Sequence, residues 1–353
     1  MQRRRSDILF TIPSVYDGVQ LECRITLPIQ RSLRGHASTS WQRRGAIVAH
    51  PYAPLGGCHD DPVVGFASRE ILRSGYVVGT FNFRLVQRLL FNPRSLSKLT
   101  YHDTGRGAGG SEGRTSWTGK PELGDYVSFY GFMLHYLSLL GEATTTPRTE
   151  DRKDDQGGSD ELHLILGGYS YGSLVASHLP DVDVVRDLFD SVSSDDTGTI
   201  GTIRQIANGI YTRTVEELGH QPHQPQQGSG TSLLRIPKTT ASYLLISPLL
   251  PPISLFLTLF TKFSLEVGMD TSAQGRQISC PKPADQLSAN RTLVLYGNED
   301  VFTSASKLRK WTNDISRASR GRFEAHEVDG ASHFWHEDGV ETQARGILRD
   351  WLF

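Results

Sequence analysis

Residues 162–172 read Leu-His-Leu-Ile-Leu-Gly-Gly-Tyr-Ser-Tyr-Gly and carry the strongest structural signal in this 353-residue chain. The apolar run predicts a buried strand, Leu162–Gly167, and the residues after it predict a short helix, Ser173–His178. Between them, Gly168-Tyr169-Ser170-Tyr171-Gly172 places a serine on a tight strand-to-helix turn at the carboxyl edge of a sheet. Side chains at the outer glycines would collide with the neighbouring strand and helix. This context predicts that Ser170 is a nucleophile, with an ordinary glycine-rich turn as the alternative.

Outward from this turn, short apolar runs alternate with amphipathic segments. The alternation predicts an α/β fold with a mostly parallel central sheet and helices on both faces. Two runs, Phe10–Ser14 and Val19–Leu27, flank a turn at Tyr16-Asp17-Gly18 and predict an antiparallel hairpin at the sheet edge. The other predicted strands are Gly45–His50, Tyr76–Arg84, Ala241–Ile246, Thr292–Tyr296 and Phe323–Val328. The other predicted helices are Pro62–Arg73 with Asp61 as its N-cap, Glu122–Leu140, Ser304–Ile315 and Val340–Leu352.

The composition excludes several classes of protein. With 37 basic and 38 acidic residues the net charge is −1, so no overall field favours nucleic acid or an anionic membrane. The most apolar stretch, Leu249–Phe263, is broken by Pro251-Pro252 and Lys262, whereas a span needs about 20 apolar residues, so we expect no stable membrane anchor. The three cysteines have neither metal-ligand nor disulfide spacing, and no signal-peptide pattern is present. We therefore predict a cytoplasmic protein without a metal or cofactor.

The domain organisation is predicted to be simple. The length alone suggests about two domains, at roughly 150 residues each. However, one series of strands and helices runs along the chain, which predicts a single domain over residues 1–353 with additions. These additions are an insert at 85–106, a polar linker loop at 144–160, and a loop and lid-like region at 201–286. Apolar residues between Leu249 and Phe260 predict a lid or substrate wall, with a plain core helix as the alternative.

A serine hydroxyl is a weak nucleophile until a base takes its proton, and the base is oriented by an acid. For a nucleophile on this kind of turn, the chain order is serine, acid, histidine. Asp300 follows the predicted strand Thr292–Tyr296 and is the predicted acid, with Glu299 as the second choice and helix capping as the alternative role of Asp300. His333 follows the last predicted strand and is the predicted base.

Other histidines were weighed for the same role. His326 falls inside a predicted strand, and His336 lies three residues beyond His333. Both are therefore weaker candidates than His333 for a base that must reach Ser170.

Acyl transfer also needs hydrogen-bond donors for the oxyanion. The backbone N–H of Tyr171, the residue after the nucleophile, is the first predicted donor. The second comes from the loop that begins at His50, and because Pro51 has no N–H, the predicted donor is the amide of Tyr52. His50 itself is predicted to be a buried residue that shapes this loop.

Five segments together resemble the α/β-hydrolase superfamily, and more narrowly its short serine hydrolases related to dienelactone hydrolases. That subgroup carries an H-P-x-x-x-x-G-G loop, an F-N-F-R-G-x-G-x-S-x-G loop, a G-x-S-x-G turn, a G-x-x-D acid strand and a G-x-x-H-F histidine loop. The corresponding segments here are His50–Gly57, Phe81–Arg84, Gly168–Gly172, Gly297–Asp300 and Gly330–Phe334. The resemblance covers nearly the whole chain and implies the fold and a Ser-Asp-His triad, but no particular substrate.

The chain departs from this pattern after Arg84. The expected Gly-x-Gly-x-Ser-x-Gly continuation appears only at 107–113, behind the insert at 85–106. Two explanations stay open: a surface excursion above the active site, or a short intron translated in frame.

The combined prediction is a serine hydrolase that cleaves a carboxylic ester or thioester of a small molecule through an acyl-enzyme. A peptidase or amidase of the same fold is the first alternative, and Glu112 and Glu122 are candidates for the acidic pair that would hold a peptide amino terminus. The second alternative is a hydrolase-fold protein that binds partners without catalysis. The sequence leaves the oligomeric state open.

Overall fold

The computed structural model describes residues 7–28, 43–84, 111–113, 115–116, 118–142, 161–191, 197–218, 235–258, 264–267 and 276–353. The predictions for the insert 85–106 and for the linker loop 144–160 lie outside these residues, as do parts of the predicted loop and lid-like region 201–286.

An eight-stranded sheet with the spatial order β1-β2-β4-β3-β5-β6-β9-β10 forms the centre of the molecule. Strands β3 to β6, β9 and β10 are parallel, whereas β2 runs antiparallel to both β1 and β4. The mostly parallel α/β fold and its antiparallel edge hairpin are thereby confirmed. The strands of this sheet are β1 (Asp7–Pro13), β2 (Gln20–Thr26), β3 (Arg44–Ala49), β4 (Val77–Phe81), β5 (Leu162–Tyr169), β6 (Thr239–Ile246), β9 (Arg291–Gly297) and β10 (Phe323–Val328).

Helices cover both faces of the sheet, as predicted. One face is buried by α1 and α9, and the other by a larger apolar core that includes α2, α3, α4, α5 and α8. The helices are α1 (Pro62–Arg73), α2 (Lys120–Glu142), α3 (Tyr171–Ala176), α4 (Val182–Asp190), α5 (Thr199–Glu217), α6 (Ile253–Thr258), α7 (Pro283–Ala289), α8 (Ala305–Ala318) and α9 (Val340–Leu352). No helix in the described part of the chain has the length and apolar content needed to cross a membrane.

Local sequence signals predicted the bounds of several elements correctly. Helix α1 and strand β10 have the predicted bounds, and the Asp61 side chain caps α1 by accepting a hydrogen bond from the Val63 amide at 2.8 Å. Strand β4 ends at Phe81 instead of Arg84, because the amides of Phe83 and Arg84 donate to the side chains of His50 and Asp125 and not to a neighbouring strand. Helix α3 begins at Tyr171, two residues earlier than predicted.

The predicted loop and lid-like region at 201–286 needs correction in its first part. Residues 201–217 belong to α5, a helix of 19 residues that packs against α2 and buries Ile203 and Ala207 completely. Apolar side chains along one side of this helix complete the core on that face, so it is neither loop nor lid. The later part contains α6, α7 and a small antiparallel pair, β7 (Ser264–Val267) and β8 (Arg276–Ser279).

Candidate active site

Ser170 lies on a strained turn between β5 and α3. Its φ of 55° and ψ of −114° lie outside the usual regions for a residue with a side chain, and its amide donates to the Ile246 carbonyl of β6 at 2.8 Å. The turn is tight because backbone packs directly on backbone: a Cβ on Gly172 would lie 2.4 Å from the Ala49 oxygen of β3. The glycine requirement inferred from the sequence therefore has a steric cause, and the turn presents Ser170 at the carboxyl edge of the sheet.

Ser170, His333 and Asp300 form a hydrogen-bonded row. The distance from Ser170 Oγ to His333 Nε2 is 2.8 Å, and that from His333 Nδ1 to Asp300 Oδ2 is 2.7 Å. All three residues are buried. A carboxylate can only accept, so Nδ1–H donates to Asp300 and leaves Nε2 to accept the serine proton. The structure thus brings together three residues that are separated by up to 163 positions in the chain.

Asp300 makes both a capping contact with the following backbone and a hydrogen bond to His333. Its Oδ1 accepts from the amides of Phe302 and Thr303 at 2.8 and 3.0 Å, as an N-capping side chain does, while Oδ2 bonds to His333. These backbone bonds fix the carboxylate in one orientation. Glu299, the second choice for the acid, is exposed and takes no part in this row.

The loop that carries His333 is anchored from two sides. The Tyr169 hydroxyl donates to the His333 carbonyl oxygen at 2.8 Å, and the Trp335 indole N–H donates to Ser247 Oγ at 2.9 Å. The ring of Phe302 lies 4.5 Å from the imidazole, measured between centroids. The imidazole therefore has a fixed position beside Ser170.

The competing histidines lie elsewhere. His336 is exposed and stacks on Phe334, and His326 is partly exposed on β10, with Glu324 as its neighbouring carboxylate at 3.9 Å. Of the three histidines weighed as the base, the structure brings only His333 to Ser170.

The two predicted oxyanion donors belong to neighbouring residues. Tyr171 is the first residue of α3, a position whose N–H has no acceptor within the helix. Tyr52 precedes a short 3₁₀ turn, Ala53–Leu55, and its ring meets that of Tyr171 edge-on with 5.1 Å between centroids. The Tyr52 carbonyl also accepts from the amides of Leu55 and Gly57, which fixes the loop after β3. This arrangement is compatible with two amides facing one oxyanion.

His50 holds that loop in place. The ring accepts the Phe83 amide at Nε2 (2.9 Å), and its Nδ1 lies 2.6 Å from the Pro51 carbonyl oxygen. An amide can only donate and a carbonyl can only accept, so the imidazole is neutral with its proton on Nδ1. Burial lowers the pKa of His50 to about 3. The residue bridges the loops after β3 and β4, which is the shaping role that the sequence predicted.

A buried ion pair next to this bridge was missed by sequence reasoning. Arg84 donates to Asp125 of α2 at 2.6 Å through its terminal nitrogen and to Asp17 in the β1–β2 turn at 2.7 Å. Burial by itself lowers the pKa of Arg84, but the two carboxylates outweigh it and raise the pKa. The pair ties the loop after β4 to the helix below it. No local pattern marks Asp125, whereas the Phe-Asn-Phe-Arg motif did mark Arg84.

Ser111 anchors the chain where it returns after the insert. Its hydroxyl donates to the Asn82 carbonyl oxygen at 2.8 Å and accepts the Glu22 amide at 2.8 Å. The residues on either side of 85–110 therefore lie close together, on the same side of β2. The Phe-Asn-Phe-Arg segment is therefore joined to Ser111 by a direct hydrogen bond.

Glu112 and Glu122, the candidate acidic pair of the peptidase alternative, make contacts with different parts of the chain. Glu122 is buried and accepts from the amide and the hydroxyl of Ser116, at 2.6 and 2.8 Å. Burial, followed by the neighbouring Asp125, raises the pKa of Glu122 to about 7. Glu112 is exposed, and its amide pairs with Gln20 of β2. These contacts favour a role for Glu122 in ordering the chain before α2.

No group of three or more His, Cys, Asp or Glu residues within the described ranges is placed to hold a metal ion. The groups gathered around Ser170 are suited to proton transfer and to binding an oxyanion.

The order of the strands, with Ser170 on the turn after β5, Asp300 after β9 and His333 after β10, defines the class: the chain has the α/β-hydrolase fold. No family model and no curated protein matches the sequence.

Several solved structures resemble the chain over nearly its full length. An α/β serine hydrolase homologue from Coxiella burnetii is 17% identical over 99% of this chain and 98% of its own, with a TM-score of 0.48. An α/β serine hydrolase without a lid from Xanthomonas campestris is 17% identical over 100% and 95%, with a TM-score of 0.44. The esterase domain of a Rhodothermus marinus protein is 13% identical over 98% and 97%, with a TM-score of 0.43.

Proposed function

We propose that the chain is a serine hydrolase that cleaves a carboxylic ester or thioester of a small molecule. The observation that supports this most is the preformed row of Ser170, His333 and Asp300 at the carboxyl edge of the sheet, with Oγ–Nε2 and Nδ1–Oδ2 distances of 2.8 and 2.7 Å. Hydrogen-bond length and burial already match what the first proton transfer requires.

The proposed reaction begins with attack of Ser170 Oγ on the carbonyl carbon, while the serine proton moves to His333 Nε2. Asp300 holds the imidazole in the correct tautomer and stabilises the imidazolium. The amides of Tyr171 and Tyr52 hold the tetrahedral oxyanion. His333 then returns the proton to the departing alcohol or thiol, which leaves an acyl-enzyme, and water cleaves that intermediate by the same steps. No cofactor takes part.

A short p-nitrophenyl ester tests the proposal, with Ser170→Ala as the variant. The wild-type chain should release nitrophenol, and the variant should lose this turnover while keeping its melting temperature. Undiminished turnover by Ser170→Ala would refute the assignment of the nucleophile.

A fluorophosphonate probe separates this proposal from a hydrolase-fold protein that only binds partners. An activated serine forms a covalent adduct, so the wild-type chain should be labelled and Ser170→Ala should not. A folded wild-type chain that stays unlabelled would support the non-catalytic alternative. Cleavage of aminoacyl amides in preference to esters would support the peptidase alternative.

The narrower relation to dienelactone hydrolases and the cytoplasmic location remain predictions from the sequence.

A further inference from the structure

A cavity of about 370 Å³ lies outside the catalytic row, between α4, the end of β8 and α7. None of its lining residues belongs to the candidate triad or to the pair of oxyanion donors. It is open to solvent, because Asp181, Asp285 and Ala289 in its lining are exposed. Its volume lies at the lower end of the range of roughly 300–1,000 Å³ that is typical of small-molecule sites.

The charge of the lining is entirely negative. Asp181, at the start of α4, and Asp285, in the first turn of α7, contribute two carboxylates, and no lysine, arginine or histidine lines the cavity. Further along α4 the acidic residues are matched: Asp183 and Asp187 pair with Arg186 at 2.5 and 3.3 Å. Within the described ranges, Asp181 and Asp285 have no such ion pair. Their charge is therefore available to a ligand.

Gln286 adds a second, independent polar group. It lines the cavity, is only 4% exposed, and its Nε2 donates to the Ser177 carbonyl at 3.3 Å. Because a carbonyl can only accept, this contact fixes the other end of the amide as the oxygen. That atom, Oε1, is buried and has no hydrogen-bond partner among the described residues. A ligand that brings an N–H group to Oε1 would restore the hydrogen bond that burial removed.

We propose that this cavity binds a small organic cation, a short alkylamine whose ammonium group lies between the carboxylates and the amide oxygen. An ammonium group has three donors and no acceptor, which matches Asp181, Asp285 and Gln286 Oε1. The apolar side chains of Val184 and Pro281 in the lining are suited to the carbon chain of such a ligand.

Two other ligand classes fit less well. An anion would meet two carboxylates of its own sign. A metal ion usually takes more protein ligands, and no group of three or more His, Cys, Asp or Glu residues in the described part of the chain is placed for one. The proposal is independent of the serine hydrolase activity, because no residue of the triad takes part.

Isothermal titration calorimetry of the full chain with butane-1,4-diamine tests the proposal. We expect saturable binding at one site with a Kd of about 1 mM or lower at low ionic strength. Binding should weaken by at least about threefold in about 0.5 M NaCl, because salt screens the carboxylates. Butane-1,4-diol has the same carbon chain without charge and should not bind. Equal binding of the diol, or no saturable binding of the diamine, would overturn the proposal.

Substitution of the carboxylates tests the location of the site. Asp181→Asn and Asp285→Asn should each raise the Kd by about fivefold, because each removes one attractive charge. Asparagine is also a good N-cap, so Asp181→Asn keeps the acceptor that the Asp183 amide uses. Asp187→Asn makes the same exchange on α4 outside the lining and should change the Kd by less than about twofold. Wild-type affinity in the double variant Asp181→Asn/Asp285→Asn would overturn the assignment.

Ala289→Lys provides a second test at an exposed position of α7. Lysine is a good helix former, and its ammonium group would occupy the cavity in place of the ligand. Binding of butane-1,4-diamine should be lost, with the fold verified by thermal melting. A folded Ala289→Lys variant that binds the diamine as tightly as wild type would show that the ligand binds elsewhere. Because every readout is binding, these results do not depend on labelling or turnover at Ser170.

Discussion

Two buried histidines, His50 and His333, lie in loops at the same edge of the sheet and have the same pattern of hydrogen bonds. In each ring Nδ1 lies next to an oxygen acceptor, at 2.6 Å in His50 and 2.7 Å in His333. In each ring Nε2 accepts a hydrogen bond, at 2.9 Å in His50 and 2.8 Å in His333. The partners differ. His50 lies between a backbone carbonyl and a backbone amide, whereas His333 lies between a carboxylate and a serine hydroxyl.

This difference separates a structural histidine from a candidate base. The amide proton bonded to His50 is not available for transfer, and the uncharged carbonyl of Pro51 offers little stabilisation to an imidazolium. The serine proton can move, and the negative charge of Asp300 stabilises the cation that results. Burial and hydrogen-bond geometry are thus shared by both rings, and the chemistry of the partners decides which one can act.

The largest effect is expected from His333→Ala. In a triad that works as a unit, loss of the base lowers kcat by about 10⁶-fold. Turnover of p-nitrophenyl acetate gives the rate, and thermal melting verifies the fold. His50→Gln should keep kcat within about tenfold of wild type. Equal loss of activity in the two variants would show that His333 is not distinguished from His50 as the base.

Asp300→Asn changes the partner of His333 while keeping its shape. An amide that donates to Nδ1 stabilises the wrong tautomer, so kcat should fall by about 10⁴-fold with KM little changed. Glu299→Gln serves as the control at the adjacent exposed carboxylate and should leave kcat near the wild-type value. If the two substitutions had similar effects, Asp300 would not be the acid.

Arg84→Met tests the structural surroundings of His50. Arg84 directly follows Phe83, whose amide donates a hydrogen bond to the His50 ring. The substitution leaves Asp125 buried without its cation, and the free energy of unfolding should fall by about 3–5 kcal/mol, measured with urea. The double variant Arg84→Met/Asp125→Leu removes both charges and should recover part of this loss. A single variant as stable as wild type would show that the pair does not hold the loop.

The pH dependence of stability should report His50. Its pKa is about 3 in the folded chain, and an unfolded histidine has an ordinary value of 6.5, so the unfolded state binds the extra proton. The stabilisation is therefore present above pH 6.5 and is lost as the pH falls towards 3, with a slope of at most about 1.4 kcal/mol per pH unit. His50→Gln should make the curve shallower below pH 6.5 and leave its slope unchanged between pH 7 and 9. Identical slopes in both proteins below pH 6.5 would contradict the neutral ring.

The smallest effect is expected from deleting residues 85–106. Arg84 then joins Gly107, and the connection to Ser111 shortens from 26 residues to four. Because closing a shorter loop on folding costs less conformational entropy, we expect a gain of about 1–2 kcal/mol in unfolding free energy and unchanged fluorophosphonate labelling. A deletion variant that fails to fold would show that the insert is part of the structure.

How far the sequence predicted the molecule depended on how local each signal was. The turn around Ser170 is a compact motif, and the chain order of acid and histidine follows from it, so the residues of the candidate triad could be named in advance. The Arg84–Asp125 and Arg84–Asp17 contacts join positions 41 and 67 residues apart. No local pattern marks Asp125, and the turn that contains Asp17 does not indicate an ionic partner. Helix α5 was missed because its polar residues resemble those of a loop, and only packing against α2 distinguishes it.

The hydrogen bond from Ser111 to Asn82 has a practical consequence for protein engineering. It holds the two sides of the segment 85–110 together, which is the geometry that an inserted domain with neighbouring termini requires. A ligand-binding reporter grafted between Arg84 and Ser111 would start two residues from Phe83, whose amide holds His50. Folding or unfolding of the graft on ligand binding would then displace the loop that contains Tyr52. The chain would become a scaffold for a ligand-gated sensor.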